Sequence, residues 1–162
     1  MSVISKTINV ERLQNRLESL AQIGKFGETG VRRLALSSEY KEGLKLVQQW
    51  MDELGLKTHI DHFGNLIGRF EGKNPHEPVI MIGSHIDSQP NGGRFDGTIG
   101  VIGALEVIQT MIEQHIQPNF PIEVISFCDE EGYRFGTGVF GSRGITGQWT
   151  EEELERTDEQ GI

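Results

Sequence analysis

Three short segments hold most of the side chains that could bind a metal or move a proton. Gly83-Ser84-His85-Ile86-Asp87 closes an apolar run that starts at Val79. Asn91-Gly92-Gly93-Arg94-Phe95-Asp96-Gly97 follows, directly before a helical pattern. Asp129-Glu130-Glu131-Gly132 closes a second apolar run, Ile122 to Cys128. His85 offers a neutral imidazole nitrogen, a common zinc ligand. Asp87, two residues on, can accept the other ring N–H and fix the tautomer. Asp96 has a short carboxylate able to bridge two metals about 3.5–4 Å apart. Glu130 and Glu131 are neighbours, so in an extended segment they point to opposite sides. One can then face a metal, and the other can act as general base on a metal-bound water. Crowded carboxylates repel and are costly to ionise unless a cation neutralises them. A divalent metal, or a pair, is the economical reading.

Each residue alone has a plainer role. A histidine at a strand end can be a hydrogen-bonded structural residue, a Glu-Glu pair solvated surface, and Asp96 a helix N-cap. Their conjunction is what points to a site, because sites in open α/β sheets form beyond the carboxyl ends of strands. The elements that must position them can be read from periodicity. Residues 9–23 place Val10, Leu13, Leu17, Leu20 and Ile23 on one helical face. After a glycine-bearing loop over 24–37, a second helix starts near Ser38, with Ser37 or Ser38 as cap, and ends at Gly55. Leu56–Asp61 and Asn65–Phe70 read as a strand hairpin. Val79–Gly83 and Ile122–Cys128 read as strands buried on both faces. Between them, residues 98–116 form a helix with Val101, Leu105, Ile108 and Ile112 inward. Strand, helix, strand at this spacing is a right-handed βαβ unit. The expected fold is α/β: a three-layer αβα sandwich around a mostly parallel sheet, with the hairpin near its edge.

Length and composition bound the rest. The chain has 162 residues, 36% hydrophobic and 24% charged, which suits one domain with an ordinary core. No apolar run approaches the ~20 residues of a membrane span, and Met1–Lys6 carries no secretion signal. The single cysteine, Cys128, fits a reducing cytoplasm and reads as a small core residue. The net charge of −9 argues against nucleic acid as a partner. Six acids between Glu151 and Glu159 read as a solvated helix start, with Thr150-x-x-Glu153 as a capping box. Twelve of the 21 glycines lie between Gly83 and Gly147, where tight turns and close approaches are needed. Gly136-Thr137-Gly138-Val139-Phe140-Gly141 spells G-x-G-x-x-G, but it does not run straight from strand to helix, as a dinucleotide fingerprint must. His59, His62, His76 and His115 read as surface residues.

The strings themselves carry more. Gly83 to Gly97, as GSHIDSQPNGGRFDG, resembles the metal-binding signature of the amidase hydantoinase/carbamoylase family. Phe127 to Gly136, as FCDEEGYRFG, is similar to that family's second signature, and Gly141-Ser142-Arg143 to the segment after it. The family comprises N-carbamoyl-L-amino-acid hydrolases, β-ureidopropionases and allantoate amidohydrolases, within the aminoacylase and carboxypeptidase-G-type metallopeptidases. The resemblance implies two divalent metal ions (zinc, manganese, cobalt or nickel) and a small-molecule substrate, most readily an N-carbamoyl-L-amino acid. Allantoate hydrolysis, deacylation or a non-catalytic remnant stand as alternatives. Gln89, where the signature varies, leans towards N-carbamoyl substrates. His85 becomes a ligand of one metal, Asp96 the bridging ligand, Glu131 a ligand of the other metal, Glu130 the general base and Asp87 the partner of His85. A cis peptide between Asp96 and Gly97 is also implied. Family members are longer and homodimeric, with two further histidine ligands and a lid and dimerisation domain. Residues 1–162 thus resemble the N-terminal part of the di-metal catalytic domain, with weakened metal affinity and little turnover alone.

Overall fold

A computed structural model describes residues 8–162. The reading of Met1–Lys6 lies outside the described residues. No described helix is long and apolar enough to cross a membrane. Helix α1 (Val10–Gln22) starts at Asn9, whose side chain accepts the Arg12 amide, and it buries Leu17 and Leu20. Helix α2 (Ser38–Glu53) is capped by Ser37, whose hydroxyl accepts the Tyr40 amide at 3.1 Å. Helix α3 (Thr98–Glu113) buries Val101, Leu105 and Ile108 completely. One core cluster joins residues of all three helices to Leu66 and Val124 of the sheet.

The strands are β1 (Lys25–Phe26), β2 (Gly30–Val31), β3 (Lys57–Ile60), β4 (Leu66–Phe70), β5 (Ile80–His85), β6 (Gly92–Gly93) and β7 (Ile122–Phe127). The main sheet runs β3-β4-β7-β5. Here β5 and β7 are parallel around α3, as the βαβ pattern predicts, while β3–β4 and β4–β7 are antiparallel. The sheet is therefore mixed rather than mostly parallel, because the tight β3–β4 hairpin turns β4 against β7. A second, small sheet, β1-β2-β6, replaces the loop expected over 24–37 and ties it to Gly92–Gly93.

Helices α2 and α3 cover the same face of the sheet. A Cβ on Gly68 would lie 2.7 Å from the Met51 sulfur of α2, and one on Gly100 of α3 would lie 2.6 Å from Ser84 Cβ. Gly68 and Ser84 are in register with Val124 and Ser126, two residues apart on β7 and so on one side. The opposite face carries the Arg69–Glu123 ion pair at 3.0 Å, and none of α1, α2 and α3 covers it. Strand β5 ends the sheet among the described residues. It is not buried on both faces: Val79, Ile80 and Met81 are 38%, 49% and 39% exposed.

After β7 come α4 (Phe140–Thr146) and α5 (Glu151–Leu154). Helix α4 was not expected: its N-cap, Val139, sits in the left-handed region and offers no side-chain cap. Phe63 packs on Phe140 and Trp149, each with ring centroids 5.7 Å apart, and this holds the segment. The capping box of α5 forms. Two of the tail acids are not merely solvated: Glu153 pairs with Arg143, and Asp158 with Arg134 at 2.9 Å.

Helix α1 is locked to α3 by Glu106, a buried carboxylate absent from the sequence reading. It accepts Arg12 Nε and Nη2, both at 2.7 Å, and the Asn9 amide at 2.8 Å. Burial alone would raise its pKa, but the bonds from Arg12 and Asn9 outweigh this and hold it below the ordinary value of 4.5. A depressed carboxylate stabilises the fold above its unfolded pKa and loses that contribution as pH falls through the lower folded value. Glu106→Gln leaves the half-buried Arg12 guanidinium with Glu113 as its one charged partner and is expected to cost roughly 2 kcal/mol. Thermal melts at pH 7 should show the loss, and the difference from the parent should shrink below about pH 4.5.

Candidate metal centre

The two parallel strands deliver their polar ends side by side. His85 is the last residue of β5 and is in register with Phe127, the last of β7. His85 Nδ1 lies 3.0 Å from the Asp87 carbonyl oxygen. A carbonyl only accepts, so Nδ1 carries the hydrogen and Nε2 presents its lone pair. The Asp87 carboxylate is 3.6 Å from the same nitrogen. The tautomer is thus set by the Asp87 backbone carbonyl, where the sequence pointed to the Asp87 carboxylate. Burial lowers the His85 pKa, and its contacts with Asp87 more than offset this, leaving it above the ordinary value.

The Asp87 carboxylate has a different principal task. Its Oδ1 accepts the Glu130 amide at 3.3 Å and its Oδ2 the Glu131 amide at 3.0 Å. The segment carrying those glutamates is not extended as expected. It bends after Phe127, with Asp129 in the left-handed region at φ +52°. The bend and the Asp87 carboxylate together present the two glutamates.

Asp96 arrives by a third route. Its loop is held through β6 in the small sheet and through Arg94, which donates to the carbonyls of Thr29 at 2.9 Å and Glu28 at 2.7 Å. Gly97 then starts α3 with φ +65°, and a Cβ there would fall 2.5 Å from Nε2, Cε1 and Cδ2 of His85. Only glycine lets this backbone lie against the imidazole. The Asp96–Gly97 peptide is not cis. The turn is made by Gly97, whose positive φ only glycine adopts readily.

The outcome is convergence. Ligand atoms of His85, Asp96 and Glu131 all lie within 4.8 Å of one another. An imidazole lone pair and two carboxylates in that space fit a divalent cation, and without one the two negative groups would repel. The Glu130 carboxylate is not in this group; its Oε2 lies 3.4 Å from the Ser142 hydroxyl of α4, which donates to the nearer Val139 carbonyl at 3.0 Å. His59, His62, His76 and His115 are exposed, as predicted. Cys128 is buried, which pushes its thiol up to about 12 and removes it as a nucleophile.

Two residues behind the site were given no role of their own by the sequence. Asn65 is wholly buried and accepts the Cys128 amide at 2.9 Å, while its amide group donates to Asp61 at 2.8 Å and to the Gly141 carbonyl at 3.0 Å. It joins the hairpin, the end of β7 and α4. The signal was an asparagine placed after a turn glycine and ahead of an apolar strand. Asp129 is buried with one oxygen unpartnered, and burial together with the Asp87 charge pushes it up to about 7.

Comparison with known proteins agrees with this geometry. The model of Peptidase family M28 matches residues 65–158. An N-carbamoyl-L-amino-acid amidohydrolase from Pseudomonas sp. (strain NS671) is 50% identical over 156 residues, which is 96% of this chain and 38% of that protein. The allantoate amidohydrolase of Bacillus subtilis (strain 168) is 37% identical over 90% of the chain and 36% of its own length. The crystal structure of a hydantoinase/carbamoylase family amidase from Burkholderia ambifaria superimposes with a TM-score of 0.94 at 39% identity, covering 97% of this chain and 39% of that one. The chain thus spans well under half the length of the relatives it matches. With more than half of its residues inside the family match, and with the same α/β architecture as an amidase of the hydantoinase/carbamoylase type, the chain belongs to Peptidase family M28.

Proposed function

We propose that this protein hydrolyses the C–N bond of a linear amide, with an N-carbamoyl-L-amino acid as substrate. The observation that carries the reading is the convergence of His85, Asp96 and Glu131 beside a separately held Glu130. The names of the relatives support the substrate: the N-carbamoyl-L-amino-acid amidohydrolases of Pseudomonas sp. and Geobacillus stearothermophilus are 50% and 47% identical, the allantoate amidohydrolase 37%.

On this reading His85, Asp96 and Glu131 would hold divalent metal. Bound there, a divalent cation supplies a Lewis acid for the ureido carbonyl and a water of lowered pKa. Glu130 takes a proton from the attacking water and passes it to the departing nitrogen. The water's oxygen thereby ends on the carbonyl carbon as the C–N bond breaks. Asp87 fixes both the imidazole and the backbone of the two glutamates. Residues 1–162 are then the N-terminal part of the catalytic domain, and further ligands and the grip on the substrate's carboxylate belong to the rest of the longer enzyme.

Metal binding separates the roles. Titration of the 162-residue chain with Co2+ should show weak binding that falls at least tenfold in His85→Ala and Glu131→Gln but is unchanged in Glu130→Gln. Equal losses in the Glu130 and Glu131 variants would refute the division between base and ligand. Gly97→Ala should abolish binding, because its methyl would displace the imidazole; Co2+ absorption would report it. Ammonia release from an N-carbamoyl-L-amino acid should be slow for this chain and absent after chelation. Faster release from allantoate would move the assignment to that substrate. Robust release from the 162-residue chain would overturn the view that its site is incomplete.

A further inference from the structure

We infer that Gln89 is a positioning residue for Glu131; the inference rests on the reading of Glu131 as a metal donor. The Gln89 amide nitrogen lies 2.8 Å from Glu131 Oε2 and 3.4 Å from the Glu131 backbone oxygen. Both partners can only accept, so the NH2 group faces them and each of its hydrogens has a taker. One amide thus holds the main chain and the carboxylate of a single residue, which restricts the torsions between them. The shorter bond is a hydrogen bond to a charged acceptor, the stronger kind.

The mount of Gln89 is itself fixed. Its carbonyl accepts the Ser88 hydroxyl at 2.9 Å and the Gly92 amide at 3.1 Å. Buried Ser88 exchanges bonds with Arg33, amide to carbonyl at 3.0 Å and hydroxyl from amide at 2.9 Å. The next residue, Pro90, has a fixed φ and accepts Arg32 Nε at 3.0 Å. A side chain on such a base reaches across from the loop after β5 to the bend after β7 and sets where the Glu131 carboxylate stands. The choice of an amide also has a reason. Lysine or arginine at this place would neutralise Glu131 and compete with a cation. Glutamate would repel it. Glutamine supplies direction and leaves the negative charge for the metal.

The test is a double-mutant cycle on Co2+ binding by the 162-residue chain, followed by calorimetry and by the visible d–d absorption. Gln89→Met keeps the length of the side chain and removes the donor. It should weaken Co2+ by about tenfold and alter the d–d band, while the melting temperature without metal stays within the spread of replicate melts. Because Gln89 acts through Glu131, the Gln89→Met/Glu131→Gln double variant should bind no more weakly than Glu131→Gln alone. Wild-type affinity and spectrum in Gln89→Met, or full additivity in the double variant, would overturn the inference. Wild-type binding by Glu131→Gln would instead remove the donor reading beneath it.

Discussion

Asp87 holds the two parallel strands together where their ladder ends, and the candidate centre depends on that junction. The last backbone pair of β5 and β7 is His85 with Phe127. Beyond it β5 turns into the Ser88–Gly93 loop and β7 bends through Cys128–Glu131, so neither strand can satisfy the other's amides. The two oxygens of one carboxylate take over, accepting the amides of Glu130 and Glu131. Hydrogen bonds to an ionised acceptor are roughly twice as strong as neutral ones. Leaving those two amides unpaired would cost about 1–3 kcal/mol each, in the segment that carries the chemistry.

The same junction concentrates negative charge, and the structure shows how the charge is managed. Asp129 registers the cost of crowding: burial first, then the field of Asp87, push it up to about 7, against the pull of the Gly132 amide and Arg134. Behind the strand end lies Arg33, wholly buried and bonded to the carbonyls of Ile86 at 2.6 Å, Leu20 at 3.0 Å and Ile23 at 2.9 Å. Burial pushes this guanidinium down to about 10, and the charge of Asp87 opposes that shift. A fixed positive charge behind the junction offsets part of the repulsion.

The candidate site was legible in the sequence because His85, Glu130 and Glu131 follow closely on β-strand patterns and Asp96 directly precedes a helical one, so the element ends locate them without knowledge of the tertiary fold. Two helix starts were legible for a similar reason: the Ser37 cap and the Thr150–Glu153 box act within four residues. What stayed hidden depends on long-range contact. Glu106 meets Arg12 across 94 positions, and Asn65 meets Cys128 across 63. Neither has a local signature that separates a buried network from surface polarity. The β1-β2-β6 sheet has strands of two residues each, too short for any periodicity to show. The mixed sheet was missed because a hairpin's own pattern does not say which way it will turn against a third strand.

The supports of the site share one property that bears on how it would work. His85 is held through Nδ1, Glu130 and Glu131 through their backbone amides, and the Asp96 loop through Arg94 and the small sheet. The Asp96 carboxylate accepts no hydrogen bond among the described residues, and His85 Nε2 is equally free. For His85 and Asp96, placement is thus achieved by atoms other than Nε2 and the carboxylate, while the Glu131 carboxylate itself accepts the Gln89 amide. Such an arrangement limits the reorganisation that binding a cation would require. Burial is graded as well: His85 is buried, Glu131 half-buried and Asp96 exposed. A cation entering from the Asp96 side would meet the most hydrated donor first and the imidazole last. Its water would then be shed stepwise, against donors already in place.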